Sequence, residues 1–237
     1  MADASPSRLL AQAGREVLRP MGLKQRGRSR TWLDDHDWWV VVVEFQPSAW
    51  SQGSHLNVGV MWLWSAKDFI SFDFADGGSP RTVGHIGFQD QAQFAEVAHD
   101  LAETAAEQVN DFRERFSSLN AVSEQLTSRL SEKPGVWDWY HAAVAAGLAG
   151  DVATSRGAFE KVLDERDALS PDWLTELCER IATPYHLLDD RNAFRSWARA
   201  EVLAARELLK LGPPSSTDPL PPAPARPGEN HMSPPPQ

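Results

Sequence analysis

The stretch WWVVVVEFQPSAWSQGSHLNVGV, from Trp38 to Val60, begins almost entirely apolar, and then Glu44, Gln46, Ser48, His55 and Asn57 appear around a turn. A carboxylate and an imidazole that lie diagonally across a strand pair suit general acid–base chemistry. The two amides suit recognition of a ligand amide, a sugar or a base edge. No nucleophile or metal-ligand set completes the group, so it reads as a ligand-binding patch with no catalytic residue assigned. Trp50, in the loop between the two strands, is an aromatic that stacks on a ligand or pins the loop.

A second group lies upstream. Lys24, Arg26, Arg28 and Arg30 recur at a spacing of two. In an extended segment all four point one way, and Trp32 follows on that face. Four cations beside an aromatic suit an anion, including a nucleic-acid phosphate; salt bridges to the acidic remainder of the chain are the structural alternative. Asp34-Asp35-His36-Asp37 is rich in oxygen ligands but lacks calcium-loop spacing and reads as a turn. Cys178 and His186 show no nucleophile–base arrangement, and a small buried thiol is the expectation for Cys178. There is no phosphate-binding loop, dinucleotide glycine set, nucleophile elbow or His-Glu-x-x-His. No cofactor and no metal site is assigned.

The elements that carry these residues follow from periodicity. Trp39, Val41, Val43 and Phe45 define one apolar face of a strand over 38–46, and Pro47 ends it. Leu56, Val58, Val60, Trp62 and Trp64 share one face of a strand over 54–64. Bringing the two apolar faces together in an antiparallel hairpin requires paired numbers that sum to an odd value. A sum of 101, from the residue numbers in the sequence, sets Gln46 opposite His55, Glu44 opposite Asn57, Val42 opposite Gly59 and Val40 opposite Met61. A slip of one residue inverts both faces. Phe69 to Phe74 alternates and reads as a further strand, and Arg81 to Phe88 as a short one.

Before the sheet, Leu9, Leu10, Ala13, Val17 and Leu18 recur at helical spacing, with Ser7 as cap and Pro20 as stop. After it comes a long helix over 91–116 capped by Asp90, then a shorter one around Val122, Leu126 and Leu130. Trp137 to Ala149 and Val152 to Arg166 form a helical hairpin with Gly150 and Asp151 as caps, similar to a tetratricopeptide-type pair. Ser170-Pro171 starts another helix, Pro184 interrupts it, and Arg191 to Leu211 is the last. The fold class is α+β: an antiparallel sheet of four to five strands flanked by helices, then an all-helical part. The division is 1–133, then 134–211 with two helical hairpins, then 212–237. That last segment holds ten prolines and reads as a disordered or polyproline II tail.

PMGLKQRGRSRTWLDD, VVVVEFQPSAW and LNVGVMW together resemble the domain of unknown function 4304 family of bacterial proteins. They match its Gly-Phe-basic-Gly-aromatic opening, its strand ending in Gln-x-Ser and its Asn-x-Gly-Val strand. Leu23 stands where that family prefers phenylalanine. The resemblance covers residues 9–116 and implies an α+β fold in a bacterial protein, with no activity attached.

The 237 residues are 42% hydrophobic, enough for a sizeable core. One cysteine excludes an intrachain disulfide and points to a reducing compartment. No 18-residue apolar run and no leader pattern appear, so a cytoplasmic protein without a membrane span is expected. Residues 1–31 hold seven basic and two acidic side chains, net +5; with −10 overall, the remainder carries −15 and disfavours general nucleic-acid binding. The sequence favours a non-enzymatic binding or adaptor domain that uses the polar end of the Trp38–Trp64 hairpin on a small ligand or protein. A hydrolase or nucleic-acid-processing enzyme built on Glu44 and His55 competes with it. So does an anion or nucleic-acid binder built on Lys24 to Arg30.

Overall fold

The structure is a computed structural model. It describes residues 5–48, 51–131, 133–169 and 171–222, of which 166–169 by backbone alone. The chain divides into two compact units, Met1–Arg115 with Arg199–Pro219, and Phe116–Ala198 with Leu220–Gln237. This division differs from the boundary at 133 read from the sequence. No described helix is long and apolar enough to cross a membrane.

The first unit opens with α1 (Pro6–Val17). Its cap is Ser5, with Pro6 at the first helical position, where a missing N–H costs nothing. Ser7, expected to cap it, instead accepts a hydrogen bond from Arg30. Five strands follow: β1 (Lys24–Gln25), β2 (Thr31–Asp35), β3 (Trp39–Pro47), β4 (Gly53–Trp62) and β5 (Arg81–Gly87). They form one antiparallel sheet in sequence order. Then comes α2 (Gln91–Arg115), started by the Asp90 side chain, which accepts the Gln93 N–H at 2.9 Å.

The β3–β4 register is the one the alternation demands. Gln46 pairs with His55, Glu44 with Asn57, Val42 with Gly59, Val40 with Met61 and Trp39 with Trp62. The face carrying Trp32, Asp34, Val41, Val43, Phe45, Leu56 and Val58 is buried. It meets α1 and α2: Gly14 of α1 leaves room for the Trp32 indole, and Arg113 of α2 reaches Asp34. On the opposite face, Phe72 and the Phe74 carbonyl lie over Gly59.

Residues 69–74 are not the strand their alternation suggested. Only Phe74 bridges to Val60. The Asp73 carboxylate takes the Trp62 N–H at 2.9 Å and also binds Lys67 and Ser71, so a side chain occupies the donor a ladder would have used. Phe69 is left exposed.

Asp34 and Asp35, expected in a turn, are the last residues of β2, and with the turn at His36–Asp37 they tie the first unit together. Asp34 takes two hydrogen bonds from Arg113, both 2.8 Å, and one from His36 at 2.6 Å. Asp35 takes two from Arg206, at 2.7 and 2.8 Å. Asp37, at φ +67°, accepts from the Ser215 backbone and hydroxyl, while its carbonyl accepts from Arg206. The His36 ring stacks on Trp39 with centroids 4.1 Å apart. Arg206 is 4% exposed and also donates to the Gly212 and Pro213 carbonyls. Residues 212–222 hold no helix or strand, as expected of the proline-rich tail, but their first part is bound to this turn. The remainder of the tail lies outside the described residues.

The second unit is helical: α3 (Leu119–Ser128), α4 (Val136–Ala149), α5 (Val152–Leu169), α6 (Asp172–Leu187) and the first half of α7 (Arg191–Leu209). Gly150 caps α4 in the left-handed conformation, and Asp151 starts α5 by accepting the Thr154 N–H. Pro184 does not interrupt α6; it sits buried in the last turn, where one forfeited hydrogen bond is tolerated. Cys178 is buried, its sulfur against the Val162 carbonyl.

Burial would raise the Asp34 carboxyl, but the hydrogen bonds from Arg113 and His36 outweigh it and hold it at about 2. A depressed native value means that stabilisation is complete above the ordinary value of 3.8 and is lost as pH falls through about 2. Urea midpoints should therefore fall across that window, and Asp34→Asn should flatten the fall; an equally steep fall in the variant would refute the assignment. Arg206→Met strands Asp35 without its cation and should cost about 3 kcal/mol in the same measurement.

Candidate functional site

Beyond Gly59 the covered face of the sheet turns polar. Glu44 and Gln46 come from β3, His55 and Asn57 from β4, and strict alternation sends all four to one side. Asn57 is 4% exposed and the other three are half-buried. The structure adds residues from β5. Asn57 pairs with Arg81, and the His85 ring lies 5.1 Å from that of His55. Ser51 bonds His85 at 3.1 Å. Gly53 makes this approach feasible: it adopts φ +148°, and a Cβ there would sit 2.2 Å from the Ile86 carbonyl and 2.6 Å from His85 Nε2.

The hydrogen bonds form a relay. The Asn57 amide donates to Glu44 Oε2 at 2.8 Å and to Gln46 Oε1 at 3.1 Å. Arg81 donates to the same Gln46 oxygen at 2.8 Å. Glu44 is thus engaged by Asn57, and no hydrogen bond joins it to His55 among the described residues. The carboxylate–imidazole dyad that general acid–base catalysis would need is not assembled. His55 is held below its ordinary value by burial first, then by its neighbours Arg81 and His85. A neutral imidazole results at pH 7.

Two buried atoms of this patch have no hydrogen-bond partner among the described residues: His55 Nδ1 and Asn57 Oδ1. The amide of Asn57 cannot flip to cure this, because only its nitrogen can face two acceptor oxygens. Glu44 has no cation and Arg81 no carboxylate within ion-pair distance among the described residues. Ser48 stands half-buried just past β3. Trp50 lies outside the described residues.

The basic segment is not extended. Lys24 opens the two-residue β1, and Arg26 to Ser29 make a tight turn in which the Arg26 carbonyl accepts from the Ser29 backbone at 3.0 Å and hydroxyl at 2.7 Å. Gly27 sits at φ +58°. Arg26 and Arg28 therefore do not line up with Lys24 and Arg30 on a strand face. Lys24, Arg26 and Arg28 are exposed, while Arg30 is tied to Ser7. Trp32 is buried at 1% exposure and offers no stacking surface.

An open groove of about 500 Å³ lies elsewhere in this unit, lined by Asp76, Thr104, Glu107, Gln108, Asp111 and Arg115. Its one cation is already bound to Asp76 and Asp111, which leaves an acidic surface with nothing aimed into it. No set of three or more ligating side chains suited to a metal ion occurs among the described residues.

No family model, curated protein or solved structure matches this chain.

The charge environment of His55 gives a direct check. Followed by its ring proton resonances, His55 should titrate below 6.5. Arg81→Gln should raise that midpoint while leaving it below the ordinary value, because burial, the larger cause, persists. A His55 midpoint at or above 6.5 would contradict the arrangement of β4 against β5.

Proposed function

We propose that this protein is a non-enzymatic binding domain whose ligand sits on the polar end of the β3–β4–β5 face. The observation that supports the reading is the unmet hydrogen-bonding capacity of Asn57, a side chain 4% exposed with one buried, unpartnered oxygen. Leaving such an acceptor without a donor costs about 1–3 kcal/mol, which a bound donor would recover. His55 Nδ1 and the unneutralised pair Glu44 and Arg81 point the same way. A small polar molecule suits the patch better than a protein, because the unmet groups lie within three adjacent strands and are partly buried. The competing enzymatic reading loses support from the engagement of Glu44 by Asn57. The nucleic-acid reading loses support from the burial of Trp32 and the turn at Arg26.

The proposed relation to the domain of unknown function 4304 family rests on residues of β1 to β4. A bacterial origin rests on the same resemblance, and the single cysteine suits a reducing, cytoplasmic compartment.

Ligand-observed NMR with the full chain and a panel of small polar metabolites tests the reading. Binding should be found, and Asn57→Leu and His55→Ala should each weaken it about tenfold or more. Undiminished binding in both variants would remove the site.

A further inference from the structure

Resting on that reading, we infer that the ligand is a small zwitterion of the α-amino-acid type, its carboxylate held by Arg81 and its ammonium by Glu44 and the Asn57 side-chain oxygen. Four observations carry this. Arg81 is an exposed guanidinium on β5 with only one of its N–H groups engaged, by Gln46 Oε1, and no carboxylate partner among the described residues. Glu44 is a half-buried carboxylate on β3 whose only described hydrogen bond is a neutral amide N–H. The two charges stand on opposite sides of β4, linked through Gln46 and Asn57 by contacts of 2.8, 3.1 and 2.8 Å. The Asn57 oxygen, buried and unpartnered, belongs to the same amide that donates to Glu44.

Elsewhere in the same unit this chain pairs such charges directly. Asp34 meets Arg113 and Asp35 meets Arg206 through two hydrogen bonds each. At the polar end of the sheet, amides hold the carboxylate and the guanidinium apart instead. An acid and a base held apart in this way suit a molecule that carries the opposite charges in the opposite order. A guanidinium fork matches a carboxylate in geometry. An ammonium has three donors, enough for a Glu44 oxygen and Asn57 Oδ1 together. An anion alone would face Glu44 unscreened, and a cation alone would face Arg81. An uncharged polyol could donate to Asn57 but would leave both charges unneutralised.

Calorimetry on the full chain provides the test. The probes are a panel of free α-amino acids and, for any that binds, its methyl ester and its N-acetyl derivative. A panel member should bind, and blocking either charge should weaken it about tenfold or more, about 1.4 kcal/mol. Arg81→Gln should weaken the free amino acid but make no further difference to the ester. Glu44→Gln should weaken the free amino acid but make no further difference to the N-acetyl form. This pairing of each variant with one blocked group separates direct contact from a general loss of structure. Absence of binding by every panel member would overturn the inference, and so would ester and N-acetyl forms that bind as tightly as the free amino acid. An uncharged metabolite whose binding is lost in Asn57→Leu would also overturn it, while leaving the binding-domain reading standing.

Discussion

The register between β3 and β4 is the constraint on which both the core and the candidate site depend. Val41, Val43 and Phe45 face Val60, Val58 and Leu56, all at most 2% exposed. Each is worth about 1.5–3 kcal/mol when removed from water. A slip of one residue would carry this whole set to the side where Glu44, Gln46, His55 and Asn57 stand. It would drive those four beneath α1 and α2. A slip of two would keep the faces but re-pair the polar groups, so the hydrophobic face sets the side on which they stand and the observed register sets Glu44 opposite Asn57.

Register holds strands together but does not hold helices onto them, and here the Asp34–Asp37 segment contributes. Arg113 lies 79 residues from Asp34, and Arg206 lies 171 from Asp35. Burying such charges is expensive, and a simple ion pair often fails to offset the cost. Arg206 meets it by directing its donors at five different oxygens: two on Asp35 and the carbonyls of Asp37, Gly212 and Pro213. The Gly212 and Pro213 carbonyls it satisfies belong to the non-helical link just past α7. The same contact therefore anchors the start of the proline-rich segment and fixes the turn that leads into β3.

How much of this is legible in the sequence depends on whether one apolar face dominates. The β3–β4 pairing is readable to the residue because alternation there is long and unbroken. β5 offers no such guide: its residues are mostly exposed, and bulges break its pairing with β4. Arg81 and His85 consequently stay out of view, though their residue types in a short strand beside the hairpin were the available signal. Alternation also misleads. At Phe69–Phe74 it is regular, yet the Asp73 side chain takes the backbone donor. At Lys24–Arg30 the two-residue spacing of cations mimics a strand, while Gly27 between them is the turn signal that prevails. The partners of the acidic turn are distant in sequence, and only tertiary folding brings them together.

A strand face that is apolar at Val40, Val42 and Met61 could have continued so. Valine at 44 and leucine at 57 would extend the core with no desolvated charge and no unmatched acceptor. That the chain instead carries an acid, a base and two amides there is a local conflict with an otherwise consistent fold. Such conflicts tend to mark functional positions, because stability alone would remove them. The relay of Glu44, Asn57, Gln46 and Arg81 does not dissolve the conflict. It polarises two amides between opposite charges and holds all four side chains in place, but it neutralises neither end. What it does provide is preorganisation: donors and acceptors already fixed in direction before anything binds, so that little side-chain ordering remains to oppose association.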